Sequence, residues 1–208
     1  MFHKKETVSM KYSSVQCYGD SLTAGFGAAP SDGWVAGLAK DLPAVRFYNH
    51  GTCGALFRDI CAEASVIASY PADGEALLLS GGTNDILCGI RYDALLTAAE
   101  RDIRSLSARV PLILATPLDT TQASVFHGWQ APWAFEKNSE EIGNYAEFLR
   151  ALAADLSVPL IDFHKEFPAV DTYLTDGVHP NAAGYAIMRR IALKTLAPLC
   201  VSETDEID

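Results

Sequence analysis

The ten residues Ser14-Val15-Gln16-Cys17-Tyr18-Gly19-Asp20-Ser21-Leu22-Thr23 decide how the rest of the chain is read. Residues 14–18 are a strand-length run, and Gly19-Asp20-Ser21 ends it in a polar turn. Working outward, the same punctuation returns. A short helix is expected over residues 34–42 and a strand over 45–48, then a helix over 56–69 and a continuous apolar strand over 76–80. Tyr92, Leu95, Leu96, Ala99, Ile103 and Leu106 share one helical stripe. Pro111 opens a strand over 112–115, and Ile142, Tyr145, Leu149, Leu152 and Leu156 repeat the helical period. A fifth strand is expected over 158–161. A last helix, opening at Pro180, buries Tyr185, Met188, Ile191 and Leu196.

Alternating strands and helices imply a parallel sheet with helices on both faces. Short buried strands joined by right-handed crossovers give an α/β fold, a three-layer flavodoxin-like sandwich with five parallel strands at its centre. The 208 residues, 49% of them hydrophobic, suit one domain over 1–208. Its core is expected over 14–196, with an acidic tail, 202–208, expected to be disordered. Two features exclude whole classes of partner. A formal net charge of -10 leaves no basic surplus for nucleic acid and repels anionic membranes. No apolar run reaches the roughly 20 residues of a membrane span, so no stable membrane insertion is expected. The first 20 residues show no secretory pattern. The five cysteines are an odd number without C-x-x-C spacing, which reads as reduced thiols in a cytoplasmic protein.

In such a sheet, function gathers where strands reach their carboxyl edge. Ser21, just past the first strand, can present its hydroxyl there, although Asp20 and Ser21 equally suit a helix cap. Gly25 and Gly27 suggest a phosphate loop, but Pro30 stands where the dinucleotide fingerprint needs Gly or Ala. Gly19 to Gly25 is one residue too long for a P-loop, and no lysine follows. In Asp176-Gly177-Val178-His179-Pro180 the three-residue spacing lets a carboxylate reach back to an imidazole, which can then act as general base. A turn followed by a helix cap explains the same residues. His50, His127 and His164 compete as base, His164 most closely because Asp162 precedes it. Asn84, in Gly81-Gly82-Thr83-Asn84-Asp85, can offer an uncharged N–H to an oxyanion. The loop Asn49-His50-Gly51-Thr52-Cys53-Gly54 offers glycine N–H groups for the same purpose. No histidine spacing suits a metal, so neither metal nor other cofactor is expected.

Taken together, these blocks resemble those of the SGNH or GDSL hydrolases, the GDSL-type lipases and esterases. The first block matches Gly19-Asp20-Ser21-Leu22, the second Gly54, the third Gly82-Thr83-Asn84-Asp85 and the fifth Asp176 to His179. The resemblance runs from about residue 14 to 196. It implies Ser21 as nucleophile, His179 as base and Asp176 as its orienting carboxylate. It also implies an oxyanion hole made by Ser21, Gly54 and Asn84, with Gly51 the alternative to Gly54. The G-x-S-x-G elbow of α/β-hydrolases is missing. The implied activity is hydrolysis of carboxylic esters, whether short-chain, acylated-sugar, lysophospholipid or thioester, and the small-molecule ester is the expected partner. An acyltransferase with the same acyl-serine chemistry is the second reading, and a non-catalytic binding module the third.

Residues 117–137 show neither helical nor strand period and are rich in aromatic rings. Phe126, Trp129 and Trp133, with Phe135, are expected to line a substrate wall or a lid, or else to pack this stretch onto the core. Phe26 and Phe57 lie near the same site in sequence and carry the same two readings.

Overall fold

The computed structural model describes residues 12–200; the acidic tail lies outside them. In chain order the elements are β1 (Ser14–Gly19), α1 (Ser21–Ala24), α2 (Trp34–Asp41), β2 (Arg46–Gly51), α3 (Phe57–Ile67), β3 (Glu75–Leu79) and α4 (Thr83–Leu87). They continue with α5 (Tyr92–Ser107), β4 (Leu112–Ala115), α6 (Ala123–Phe126), a 3-10 turn (Pro132–Ala134), α7 (Phe135–Leu156), β5 (Leu160–Ile161), α8 (Phe163–Glu166) and α9 (Ala182–Cys200).

The five strands form one sheet in the order β2-β1-β3-β4-β5, and every neighbouring pair is parallel. The chain leaves β1 for one edge and returns across it to β3, so the order reverses between β1 and β3. This is the flavodoxin-like order, and in such sheets ligands bind outside the carboxyl ends of the strands where the order reverses.

Strand residues alternate between two cores, as the pleat requires. Val15, Cys17, Ala76, Leu78, Ile113 and Ala115 pack with Trp34 and Leu38 of α2 and Tyr185 and Met188 of α9. Tyr18, Leu77, Leu79, Leu112 and Leu114 face Ile60 of α3, Ile103 of α5 and Tyr145 and Leu149 of α7. The buried strands β3 and β4 are apolar on both faces for this reason.

Several boundaries differ from the sequence expectation by a residue or two, and four of the differences have a clear local cause. β2 runs on to Gly51, because its parallel ladder with β1 continues through Tyr18↔His50 to Gly19↔Gly51. It is an edge strand with exposed residues, so polar Asn49 and His50 belong to it without an apolar signal. β5 is only two residues long. The Val158 N–H closes α7 onto Ala153 O at 3.0 Å, and Pro159 has no N–H to give. α9 starts at Ala182, because Asn181 caps it: its Oδ1 accepts the Gly184 N–H at 3.0 Å. Pro180 instead forms an antiparallel bridge with Leu174. The aromatic stretch contains α6 and the 3-10 turn, and its end is already the first turn of α7.

Trp34 ties the core to the segment that carries Ser21. It is fully buried, and its indole N–H donates to Leu22 O at 3.0 Å. Its ring meets Phe163 edge-on at 5.3 Å. Trp34→Ala is expected to lower stability by about 3–5 kcal/mol, read as a fall in the urea midpoint without a change of slope.

Candidate active site

Ser21 opens α1 directly after β1. Asp20 is the cap of that helix, its carboxylate accepting the Leu22 N–H at 2.9 Å. The seryl Oγ lies 2.9 Å from His179 Nε2. On the other side of the ring, His179 Nδ1 lies 2.8 Å from Asp176 Oδ2. The second carboxylate oxygen, Oδ1, accepts the backbone N–H groups of Val178 at 3.0 Å and His179 at 2.8 Å. The three-residue spacing thus closes a turn in which one carboxylate holds both the backbone and the ring of the histidine. His179 is buried, 4% exposed, and two further rings lean on it. Phe26 lies 4.6 Å away, tilted, and Trp129 lies 4.8 Å away, edge-on.

The turn needs a glycine at position 177. Its φ is +82°, and a Cβ there would stand 2.1 Å from Ser124 N. The close approach lets Thr121 N–H donate to Gly177 O at 2.9 Å. The aromatic stretch is thereby hydrogen-bonded to the Asp176–His179 turn.

The loops that carry Gly54 and Asn84 lie beside each other. Asn84 Nδ2 donates to Ala55 O at 3.0 Å, which orients the amide and leaves its second N–H free. Gly54 has φ +78°, and a Cβ there would meet nothing within 4 Å. Gly51 is different: its N–H donates to Asn49 Oδ1 at 2.9 Å, and a Cβ would stand 2.1 Å from Ala24 N. Gly51 is a packing glycine, and its N–H is occupied.

The rival histidines lie elsewhere. His50 Nε2 lies 2.6 Å from Gln16 Oε1, and the ring stacks on Tyr18 at 4.4 Å; burial pushes its pKa down. His127 is exposed at the end of α6. Asp162 does not serve His164. It accepts Arg150 Nε at 2.7 Å and Arg150 Nη2 at 2.9 Å, and it caps α8 through Lys165 N.

The aromatic residues divide. Trp129 reaches the site, its indole N–H donating to Asp176 Oδ2 at 2.8 Å. Phe126 and Trp133 are 86% and 84% exposed, so they neither pack the stretch onto the core nor join the rings on His179. Phe26 belongs to the site, and its carbonyl accepts the Tyr185 hydroxyl at 2.7 Å. Phe57 belongs to the core, edge-on to Tyr145, and its N–H donates to Asp85 Oδ2 at 2.9 Å.

Sequence reading missed the indole bond to Asp176. The signal available was the residue type, since a tryptophan with a polar handle seeks an acceptor. It also missed how deeply Asp20 is buried, at 1% exposure. Burial of Asp176 works to raise its pKa, but the His179 and Val178 N–H groups and the imidazole outweigh it, leaving the carboxyl below its ordinary range. Asp20 goes the other way. Burial, opposed chiefly by the Leu22 N–H, pushes it up to about 6.

The site belongs to a class: hydrolases on a doubly wound α/β sheet, with a serine, a histidine and an aspartate gathered at the carboxyl edge. A model of the GDSL-like lipase/acylhydrolase family matches residues 17–187, and the chain belongs to that family. No curated protein matches it. Among solved structures it is similar to a lipolytic G-D-S-L family protein from Veillonella parvula, with 24% identity and a TM-score of 0.72, over 88% of this chain and 98% of that one. It is similar to the aryl esterase of M. smegmatis at 16% identity and TM-score 0.73, over 90% and 99% of the two chains. An acetylxylan esterase from Geobacillus stearothermophilus, as a catalytic mutant, has 21% identity and a TM-score of 0.67, over 88% and 94%. No helix among the described residues is long and apolar enough to cross a membrane.

The raised Asp20 makes a test with a definite sign. The unfolded chain loses this proton near the ordinary 3.8 and the folded chain near about 6, so stability falls as pH rises through that window. The cost, about 3 kcal/mol, is complete above it. Asp20→Asn keeps an oxygen for the Leu22 N–H and removes the ionisation. Urea titrations should show the variant gaining on the wild type by up to about 3 kcal/mol between about pH 4 and pH 7.

Proposed function

We propose that the protein is a serine esterase that works through an acyl-serine intermediate. The observation that carries this reading is the unbroken relay from Ser21 Oγ through His179 to Asp176, at 2.9 and 2.8 Å. His179 Nε2 takes the hydroxyl proton as Oγ bonds to the ester carbonyl carbon. The imidazolium, oriented by Asp176, then gives that proton to the departing alkoxide as the C–O bond breaks. A water repeats both steps on the acyl-serine and releases the acid. Negative charge on the carbonyl oxygen is met by the N–H groups of Ser21 and Gly54 and the free amide N–H of Asn84.

The substrate we infer is a small carboxylic ester. The acidic chain and its five free cysteines favour a soluble ester in a reducing compartment such as the cytoplasm. The aryl esterase and the acetylxylan esterase among the similar structures make aryl acetates and acetylated sugars the first compounds to try. Phe126 and Trp133, on the stretch bonded to the triad turn, remain candidates for contacts with the leaving group.

A fluorophosphonate probe is expected to label the wild-type protein at Ser21; an unlabelled wild type would remove the acyl-serine reading. Against a series of p-nitrophenyl esters, Ser21→Ala and His179→Ala should lower kcat by ~10³-fold or more with the fold intact. Asn84→Ala should lower it by ~10²–10³-fold, or about 2.7–4 kcal/mol. Full activity in the Asn84 variant would take that residue out of the oxyanion hole.

A further inference from the structure

We infer that Trp129 is a positioning residue for this triad, its indole N–H tempering the pull of Asp176 on His179. The inference rests on the proposed roles of Ser21, His179 and Asp176 and adds a fourth member to them. Trp129 Nε1 and His179 Nδ1 both lie 2.8 Å from the same oxygen, Asp176 Oδ2. Two donors on one carboxylate oxygen divide its electron density. Each bond is weaker than it would be alone, and the carboxylate stabilises a positive imidazole less. The Trp129 ring also meets His179 edge-on, so one side chain touches both partners of the pair.

The indole is held where it is by more than its own bond. The backbone N–H of Trp129 donates to Ser124 O at 2.9 Å. The next residue, Gln130, is buried, and its amide donates to Ser124 Oγ at 2.7 Å and to Thr120 Oγ1 at 3.1 Å. Buried Asn138, on α7, donates in turn to Gln130 Oε1 at 2.8 Å. The Gly177–Ser124 contact and the Thr121–Gly177 bond close the ring of interactions back onto the triad turn. A tryptophan that merely covered the surface would need none of these. The indole itself is 42% exposed, so replacing it leaves the core intact.

Two other ionisable groups interact electrostatically with the pair, and neither is altered by a substitution at Trp129. They are Asp20 at the cap of α1, which senses His179 and Asp85, and Tyr185 of α9, which senses Asp20, Cys53 and Asp176. A change in the acid limb of the pH profile therefore reports on the indole.

The experiment compares wild type with Trp129→Phe, which keeps a ring and loses the N–H, and with Trp129→Ala, which loses both. The measurements are kcat/KM against pH for a p-nitrophenyl ester and the ¹H NMR resonance of the His179 Nδ1 proton. Both variants are expected to move the acid limb to higher pH by about 0.5 pH unit, with KM little changed. In Trp129→Phe the Nδ1 proton should move downfield, as its bond to Oδ2 is no longer shared. An acid limb and resonance in Trp129→Phe that superimpose on wild type would overturn the inference. So would a displacement found only in Trp129→Ala, which would assign the effect to ring packing. Failure of the triad itself reads out separately, as wild-type turnover in Ser21→Ala.

Discussion

The Asp176 carboxylate collects four N–H donors: the amides of Val178 and His179 on one oxygen, and the His179 ring and Trp129 indole on the other. Much of the local architecture follows from satisfying it. The amide bonds wind residues 176–179 into a tight turn, and the turn carries the histidine ring back over its own carboxylate. Gly177 lets the aromatic stretch come within bonding range, and the indole arrives from that stretch. A carboxylate removed from water with fewer donors is pushed toward its protonated form, in which it holds a positive imidazole less well.

The sheet supplies the complementary constraint. Ser21 follows β1, the Gly54 loop follows β2, and Asn84 follows β3, so three consecutive strands in the chain deliver three loops to one edge. The order β2-β1-β3 puts the serine between the loops that carry Gly54 and Asn84. The Asn84–Ala55 bond then fastens those loops to each other. The histidine comes from the far end of the chain, placed by the turn that precedes α9. The packing of α9 against α2 and the sheet is what carries that turn to the Ser21 edge, and the Tyr185–Phe26 bond joins the two segments directly.

Elements that bury apolar residues on a regular period were legible in the sequence. β4 was read to the residue, and the stripes of α5 and α7 are the residues that face the sheet. What could not be read were boundaries set by backbone partners. Asn49 and His50 look like loop, because an edge strand is defined by its ladder to β1 rather than by burial. Val158 looks like strand, but its N–H is consumed by α7. At the site, the motif residues were legible because each sits at a strand end or in a turn with short-range geometry. Trp129 was not, because its partner is 47 residues away and only the fold brings the two together. Its ring type was visible and its bond was not. The same holds for Gly51 and Gly54, which differ in whether a neighbour already holds the N–H.

Two carboxylates act on His179, and their surroundings push them apart. Asp20 is next to the serine in sequence and is the more deeply buried, which would make it an obvious candidate to orient the base. One neighbouring amide, that of Leu22, is bonded to its side chain, and burial prevails: it is held up at about 6. Asp176 has four donors and is held down. A carboxylate that partners an imidazolium does so in its charged form, and the surroundings of Asp176 favour that form more strongly than those of Asp20. On the proposed roles, donor count rather than distance along the chain separates the two aspartates into a helix cap and an orienting partner. The indole of Trp129 lies on the side of that division where charge is kept, and that is how, in the mechanism proposed above, the loss of a single N–H from a half-exposed ring reaches Ser21.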